Sequence, residues 1–175
     1  MRAPRRRTAL IGAVATLVVA LLGGGLAFWW AQRVPSTLEL PITQTREIPL
    51  TGNSSRFDYE DLDDERGLLF IAHMGAGQVI EVDVRVGKVV RTIDGLDDVH
   101  GVIVVPKLHR VFATATGTNE LVSLDEDSGR ELGRAPTGAY PDGLAYNPDA
   151  NTVWTTNEEA GTETVVERSA TSRTC

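Results

Sequence analysis

Hydrophobic and polar residues alternate in short runs over most of the chain, between residues 46 and 167. The runs are rich in Val, Ile, Leu and Thr, and Gly, Asp, Asn or Pro interrupts them every few residues. β-branched residues favour extended backbone and the interrupting residues favour turns, so the pattern predicts short antiparallel strands. The runs are too short and too often broken for amphipathic helices, and we therefore expect an all-β fold.

This pattern recurs with a period of 42 residues. Trp154 aligns with Phe112 and Phe70, and Gly143 aligns with Gly101. Four antiparallel strands per unit are typical of a β-propeller blade. We therefore predict a partial β-propeller of about three four-stranded blades over residues 46–167. The predicted strands are 46–51, then 68–73, 78–83 and 88–93 in the first repeat, and 101–105, 110–114, 121–125 and 130–135 in the second.

The third repeat is expected to stop within a blade. Gly87 and Gly129 occupy the last turn of the first two repeats, whereas Thr171 stands at that position in the third. Residues 168–175 supply neither the turn nor a further strand, so we interpret them as a divergent tail.

An apolar segment precedes the repeats. Residues 9–30 carry no charge and follow four arginines within residues 1–8. A run of this length matches a membrane-spanning helix, and the preceding positive charge stays on the cytoplasmic side. The sequence predicts an uncleaved single-pass anchor, a linker over residues 31–45 and a domain outside the cytoplasm. The alternative is a cleaved secretory signal, with Ala27 closing a small-x-small cleavage site.

The domain after this segment is acidic. Five of the 17 basic residues are arginines within the first 33 positions, which leaves 12 basic residues against 24 acidic ones in the remainder. A surface of that charge repels phosphate backbones, so nucleic acid is not an expected partner. Cys175 is the only cysteine, and an intrachain disulfide is therefore impossible.

The third repeat carries a recognisable motif. It begins Pro141-Asp142-Gly143, continues through Asn147-Pro148 to a strand that ends Thr156-Asn157, and then reads TETVV. This resembles the YVTN-type β-propeller repeat family of exported bacterial proteins, over residues 46–167. The resemblance implies seven blades, with residues 46–51 as the outer strand of a closing blade. It therefore predicts a truncated form of a longer propeller, and the alternative is a ring assembled from several copies.

Three equivalent positions supply the candidate ligand-binding residues Asp58, His100 and Asp142. In a propeller, the innermost strands begin near the central channel, so these side chains should converge on one mouth. His73 and Asn157, which share another repeat position, are possible neighbours. The functional interpretation is a polar ring for a small ligand or cation; the alternative is that these residues cap turns. Two histidines and two aspartates spread over three blades do not define a metal site.

Two further groups have structural interpretations. The acidic run 58–65 invites a calcium loop, but Arg66 stands where an EF-hand requires Gly, and we expect a solvated strand end and turn. Aromatic residues within the repeats are expected to pack between neighbouring blades. They are Tyr59, Phe70, Phe112, Tyr146 and Trp154.

No catalytic motif and no cofactor are expected, since the sequence has no nucleophile elbow, zinc-binding helix or phosphate loop. The predicted function is a membrane-anchored binding or scaffold module outside the cytoplasm. Its expected partners are a protein, a cell-wall fragment or a small molecule, with self-association through open sheet edges. One alternative is a fragment of a propeller enzyme, similar to calcium-dependent lactonases or quinoprotein dehydrogenases. Another is a fragment without function.

Overall fold

The computed structural model describes residues 42–167. The described residues divide into two units after Arg46. In the first unit, the described residues 42–46 form no helix or strand. The second unit contains all the strands described below.

Eleven strands over residues 60–167 form three antiparallel sheets, which confirms the all-β prediction. The strands of each sheet follow chain order, so every strand pairs with its neighbour in sequence. The first sheet comprises β1 (Glu60–Asp63), β2 (Leu68–His73), β3 (Gln78–Asp83) and β4 (Lys88–Ile93). The second comprises β5 (Val99–Val105), β6 (Arg110–Ala115), β7 (Glu120–Asp125) and β8 (Glu131–Pro136). The third comprises β9 (Pro141–Asn147), β10 (Thr152–Asn157) and β11 (Thr162–Glu167).

The strands keep the 42-residue period of the sequence. The second strands of the three sheets begin at Leu68, Arg110 and Thr152. The three strands predicted for the first repeat within 68–93 have the observed bounds, and the fourth strand of the second sheet begins one residue later than predicted. Within the described residues, the third sheet has three strands.

Left-handed turn residues recur at fixed repeat positions. Gly67, His109 and Asn151 follow one another at intervals of 42 residues, and their φ angles are 67°, 51° and 54°. Such φ angles suit Gly and are tolerated by Asn and a few other polar residues. The turn therefore keeps its backbone conformation although its side chain changes from repeat to repeat.

The core lies between adjacent sheets. Phe70 and Val79 of the first sheet pack against Val102, Val111 and other apolar residues of the second. Phe112 and Leu121 lie in a second cluster with Val153 of the third sheet. Each sheet thus covers one face of the sheet before it in the chain, and the hydrophobic effect holds the three together.

The prediction of a strand at residues 46–51 is wrong, because this part of the described chain forms none. Its side chains Ile48 and Leu50 pack instead on Ile71, Ile80 and Val82, which form the outer face of the first sheet. Within the described residues, no strand pairs with the backbone of this segment. Residues 46–51 alternate apolar and polar side chains because Ile48 and Leu50 cover the face of a sheet.

The aromatic residues divide into two groups. Phe70 and Phe112 are buried between sheets as predicted, with 1% and 6% of their surfaces exposed. Trp154 is 41% exposed and Tyr59 is 49% exposed, so the packing prediction is wrong for both within the described structure. Trp154 lies on the far face of the third sheet, opposite Val165 on β11.

No helix among residues 42–167 has the length and apolar character needed to cross a membrane. The predicted span 9–30, its possible cleavage site, most of the linker and the tail 168–175 lie outside the described residues.

We expect the substitution Phe70→Ala to lower the free energy of unfolding by about 3–5 kcal/mol, because it opens a cavity between two sheets. Trp154→Ala removes a larger side chain that is already half in water, and it should cost less than half as much. Urea denaturation followed by far-ultraviolet circular dichroism measures both. Equal losses would contradict the exposure of Trp154.

Candidate functional site

The candidate site lies where the first strands of adjacent sheets begin. The Tyr59 N–H, next to Asp58, donates to the carbonyl oxygen of His100 at 3.3 Å. The Thr116 hydroxyl donates to the carbonyl oxygen of Pro141 at 2.5 Å. These bonds hold the segment before β1 beside the start of β5, and the start of β9 beside the second sheet.

Thr114 connects the second sheet to the third through one buried hydroxyl. Its oxygen accepts a hydrogen bond from the Gly101 N–H at 2.8 Å and donates to the Asp142 carbonyl oxygen at 3.0 Å. Gly101 is required here, because a Cβ at that position would lie 2.3 Å from the same carbonyl oxygen. A glycine that the repeat predicted therefore permits the close approach of two strands.

His100 lies at the centre of the cluster, with 2% of its surface exposed. Its Nδ1 is 2.7 Å from the Asp98 carbonyl oxygen, and its Nε2 is 3.1 Å from the Tyr140 hydroxyl. A carbonyl oxygen can only accept, so Nδ1 carries the proton of the neutral ring and Nε2 accepts from Tyr140. Asp58 Oδ2 is 4.0 Å from Nε2, and Arg56 pairs with the same carboxylate at 2.9 Å.

Tyr140 adopts a backbone conformation that is unusual for a bulky residue, with φ of 60°. Its N–H donates to Asn119 Oδ1 at 2.8 Å, and its carbonyl oxygen accepts from the Glu158 N–H at 2.9 Å. Asp98, at the equivalent position of the preceding repeat, has φ of 49°. These two residues direct the chain into β9 and β5, and both contact His100.

Asp142 is the carboxylate of this cluster whose pKa departs from its ordinary value. Burial raises its pKa, and the adjacent Glu158 carboxyl raises it further. Asp58 acts in the same direction, whereas His100 opposes them. Within the described residues, Asp142 Oδ1 has no hydrogen-bond partner. Asp142 and Glu158 are therefore neighbouring carboxyls, and one Asp142 oxygen lacks a donor among the described residues.

The structure brings together three of the five predicted site residues, Asp58, His100 and Asp142. His73 follows Ala72, whose carbonyl oxygen accepts from the Asp58 N–H at 2.9 Å, and its buried ring stacks on Phe57 at 4.1 Å. Its Nε2 is 3.2 Å from Ser55 Oγ, and its Nδ1 has no partner in the described part of the chain. The proton of the neutral ring is best placed on Nε2, which donates to Ser55, and Ser55 contacts Asn53 Oδ1. This chain of bonds anchors the loop and does not activate the serine.

Asn157 is buried on β10, directly opposite Pro141 on β9. Its Nδ2 donates to Thr162 at 3.1 Å and to Thr164 at 2.9 Å, both on β11. A Cβ at Gly138 would approach Asn157 Cγ to 2.8 Å. Asn157 thus supports the segment that leads into β9.

Sequence reasoning missed Tyr140 and Glu158. Neither has a matching residue type in the other repeats, since Asp98 and Thr116 stand 42 residues earlier. The available signal was position alone, because Tyr140 precedes the predicted Asp142 by two residues. Backbone conformation and the cross-strand contact to Glu158 decide their roles, and neither is encoded by residue type.

The acidic run 58–65 forms β1 and the start of the following turn. Asp64 and Glu65 are exposed as predicted, but Asp63 is fully buried, so the solvated interpretation is wrong at that residue. Asp63 stands at the repeat position of Val105, which faces the core. Among the described residues, no three His, Cys, Asp or Glu side chains form a group that could hold a metal ion.

We predict that Glu158→Gln lowers the pKa of Asp142 towards its ordinary value, because it removes a neighbouring charge and offers an amide donor. Carboxyl ¹³C chemical shifts followed against pH measure this directly. Glu159→Gln, at the next and equally exposed position, is the matched control and should leave Asp142 unchanged. An Asp142 titration unaffected by Glu158→Gln would contradict the pairing.

Comparison with known proteins finds a likeness among solved structures. No family model matches the chain, and no curated protein matches it. Among solved structures, Kuenenia stuttgartiensis hydrazine synthase is similar with a TM-score of 0.53 and 18% identity. The match covers 62% of this chain and 32% of the hydrazine synthase chain, so it spans about a third of that protein. At this identity, the likeness concerns the fold alone.

Proposed function

We propose that the chain is a binding module whose three sheets are consecutive blades of a β-propeller. Its ligand site is the cluster of Asp58, His100, Tyr140, Asp142 and Glu158. The observation that carries this proposal is the meeting of equivalent strand starts, which brings side chains from three sheets around one point. Convergence of this kind is how propellers build sites near their central channel.

Three features support the propeller. The sheets repeat every 42 residues, each covers one face of its predecessor, and β1, β5 and β9 are neighbours through backbone and hydroxyl bonds. The resemblance of residues 141–166 to YVTN-type repeats agrees with this arrangement. The likeness to hydrazine synthase supports a shared fold and says nothing of activity.

The site favours a ligand that brings positive charge or hydrogen-bond donors. Asp142 and Glu158 repel each other when both are ionised, and a cation between them would replace that repulsion with attraction. Asp58 and the Tyr140 hydroxyl add acceptors nearby. Arg56 pairs with Asp58 at 2.9 Å, at the exposed side of the cluster. We therefore propose a small cationic or amine-bearing ligand, bound without covalent chemistry.

The same proposal includes location and self-association. The uncharged segment 9–30 would anchor the module in a membrane, with the sheets outside the cytoplasm. The far face of the third sheet exposes Trp154 and Val165, and the repeat position of Trp154 is buried in the two preceding sheets. A further sheet of the same kind would cover it, and a second copy of the chain could supply that sheet.

Binding by the full-length protein in detergent micelles tests the proposal, with the amines putrescine, cadaverine and ethanolamine as probes. We expect isothermal titration calorimetry to detect at least one of them, and Asp142→Asn to weaken that binding at least tenfold, because a charged acceptor is lost. Asp149→Asn, in an exposed turn of the third sheet, is the matched control. Failure of all three probes to bind, or equal binding by Asp142→Asn, would overturn the proposed site.

A further inference from the structure

A second group of acidic side chains lies at the opposite end of β1 from the candidate site. Asp63 ends β1 in the first sheet, and Glu126 follows β7 in the second. Glu81 lies within β3, on the face that contributes Val79 to the core. All three are 1% exposed or less. Carboxylates are rarely buried to this extent without compensation, because ionised groups lose their hydration.

Two arginines compensate part of this charge. Arg66 Nη1 is 3.1 Å from Glu126 Oε1 and 3.0 Å from Asp127 Oδ1, and thereby connects the first sheet to the second. Arg91 Nε is 2.7 Å from Glu81 Oε2. His109 Nδ1 lies 3.7 Å from Asp127 Oδ2 on the exposed side. Four carboxylates therefore face two arginines, with a histidine at the rim.

Asp63 and Glu126 form the least compensated pair. Asp63 Oδ1 accepts a hydrogen bond from the Arg66 N–H at 3.1 Å, whereas its Oδ2 has no partner in the described residues. Glu126 has the Arg66 ion pair but no hydrogen bond from any described group. Burial raises the pKa of Glu126 to about 7, and the adjacent Asp63 side chain contributes to the rise. Burial also raises the pKa of Glu81.

We propose that Glu126 is protonated in mild acid and donates a hydrogen bond to Asp63 Oδ2. The two carboxyls then form a clamp that holds the first sheet to the second. Loss of that proton leaves two buried negative charges facing one another, with Arg66 shared between Glu126 and Asp127. The boundary between the sheets then loosens. The proton leaves Glu126 for solvent, and Asp63 Oδ2 loses the hydrogen bond that it accepted.

The direction of the pH effect follows from this geometry. A carboxyl that holds its proton more tightly in the folded chain stabilises the fold fully below its unfolded pKa, and this stabilisation is lost as pH rises through the folded value. For Glu126 the window extends from the ordinary value of 4.5 to about 7. The pKa values of Glu81 and Asp142 are also raised, so both groups add to the loss of stability at high pH. A variant that changes Glu126 alone keeps their contribution, and its difference from the wild type isolates that of Glu126.

Urea unfolding of the full-length protein in detergent micelles, at pH 5 and pH 8, provides the test. The unfolding equilibrium constant of the wild type should rise roughly 70-fold more between these pH values than that of Glu126→Gln. Glutamine keeps the size of the side chain, donates to Asp63 and does not titrate. Asp64→Asn, at the exposed neighbour of Asp63, is the matched control and should behave as the wild type.

Hydrogen exchange at one amide distinguishes opening between the two sheets from a change in global stability. The Val104 N–H donates to Asp61 Oδ2 at 2.8 Å across the same boundary, so its hydrogen-exchange protection factor reports on opening between the two sheets. Protection should fall at pH 8 in the wild type and stay constant in Glu126→Gln. If that variant does not fold, Asp63→Asn tests the same pair from the other side. A wild-type pH response preserved in either variant would overturn the proposal.

Discussion

Burial of one face of each sheet against the next is the constraint on which the structure depends. A single sheet of four short strands has no partner for its apolar face, and isolated hairpins are marginal in water. Stacking the first sheet on the second buries Phe70, Val79, Val102 and Val111 in one cluster. The same packing places β1 beside β5 and β5 beside β9. Polar residues 42 positions apart in sequence therefore meet at the strand starts, although no local signal brings them together.

This stacking also decides where polar groups are tolerated. Thr114 is buried but uses its hydroxyl twice, as an acceptor from Gly101 and a donor to Asp142, so its burial costs little. Asp61 likewise accepts the Val104 N–H across the boundary. Asp63 and Glu126 differ, because each is enclosed with fewer donors than its oxygen atoms can accept. The two ends of β1 therefore differ in solvent exposure. The side chain of Asp58 is partly exposed, whereas that of Asp63 is fully buried.

Much of the fold could be predicted from the sequence, because alternation and turn residues act locally. The strands 68–73 and 78–83 are given correctly by their β-branched runs and by the turns around them. Residues 46–51 alternate equally well but cover a sheet face, and alternation does not distinguish that position from a paired edge. Asp63 resembles its exposed neighbours in sequence, and only its repeat equivalence with Val105 points to the core. Tyr140 and Glu158 reach the site through a left-handed backbone and a cross-strand contact, which residue types do not reveal.

The recurrent left-handed turn has a consequence for how such a chain can diverge. At one repeat position, Gly67, His109 and Asn151 satisfy the same backbone requirement with three unrelated side chains. Mutation can therefore exchange residues at this position among those that tolerate the conformation, without altering strand register. At this turn, the fold requires a backbone conformation and not one residue type.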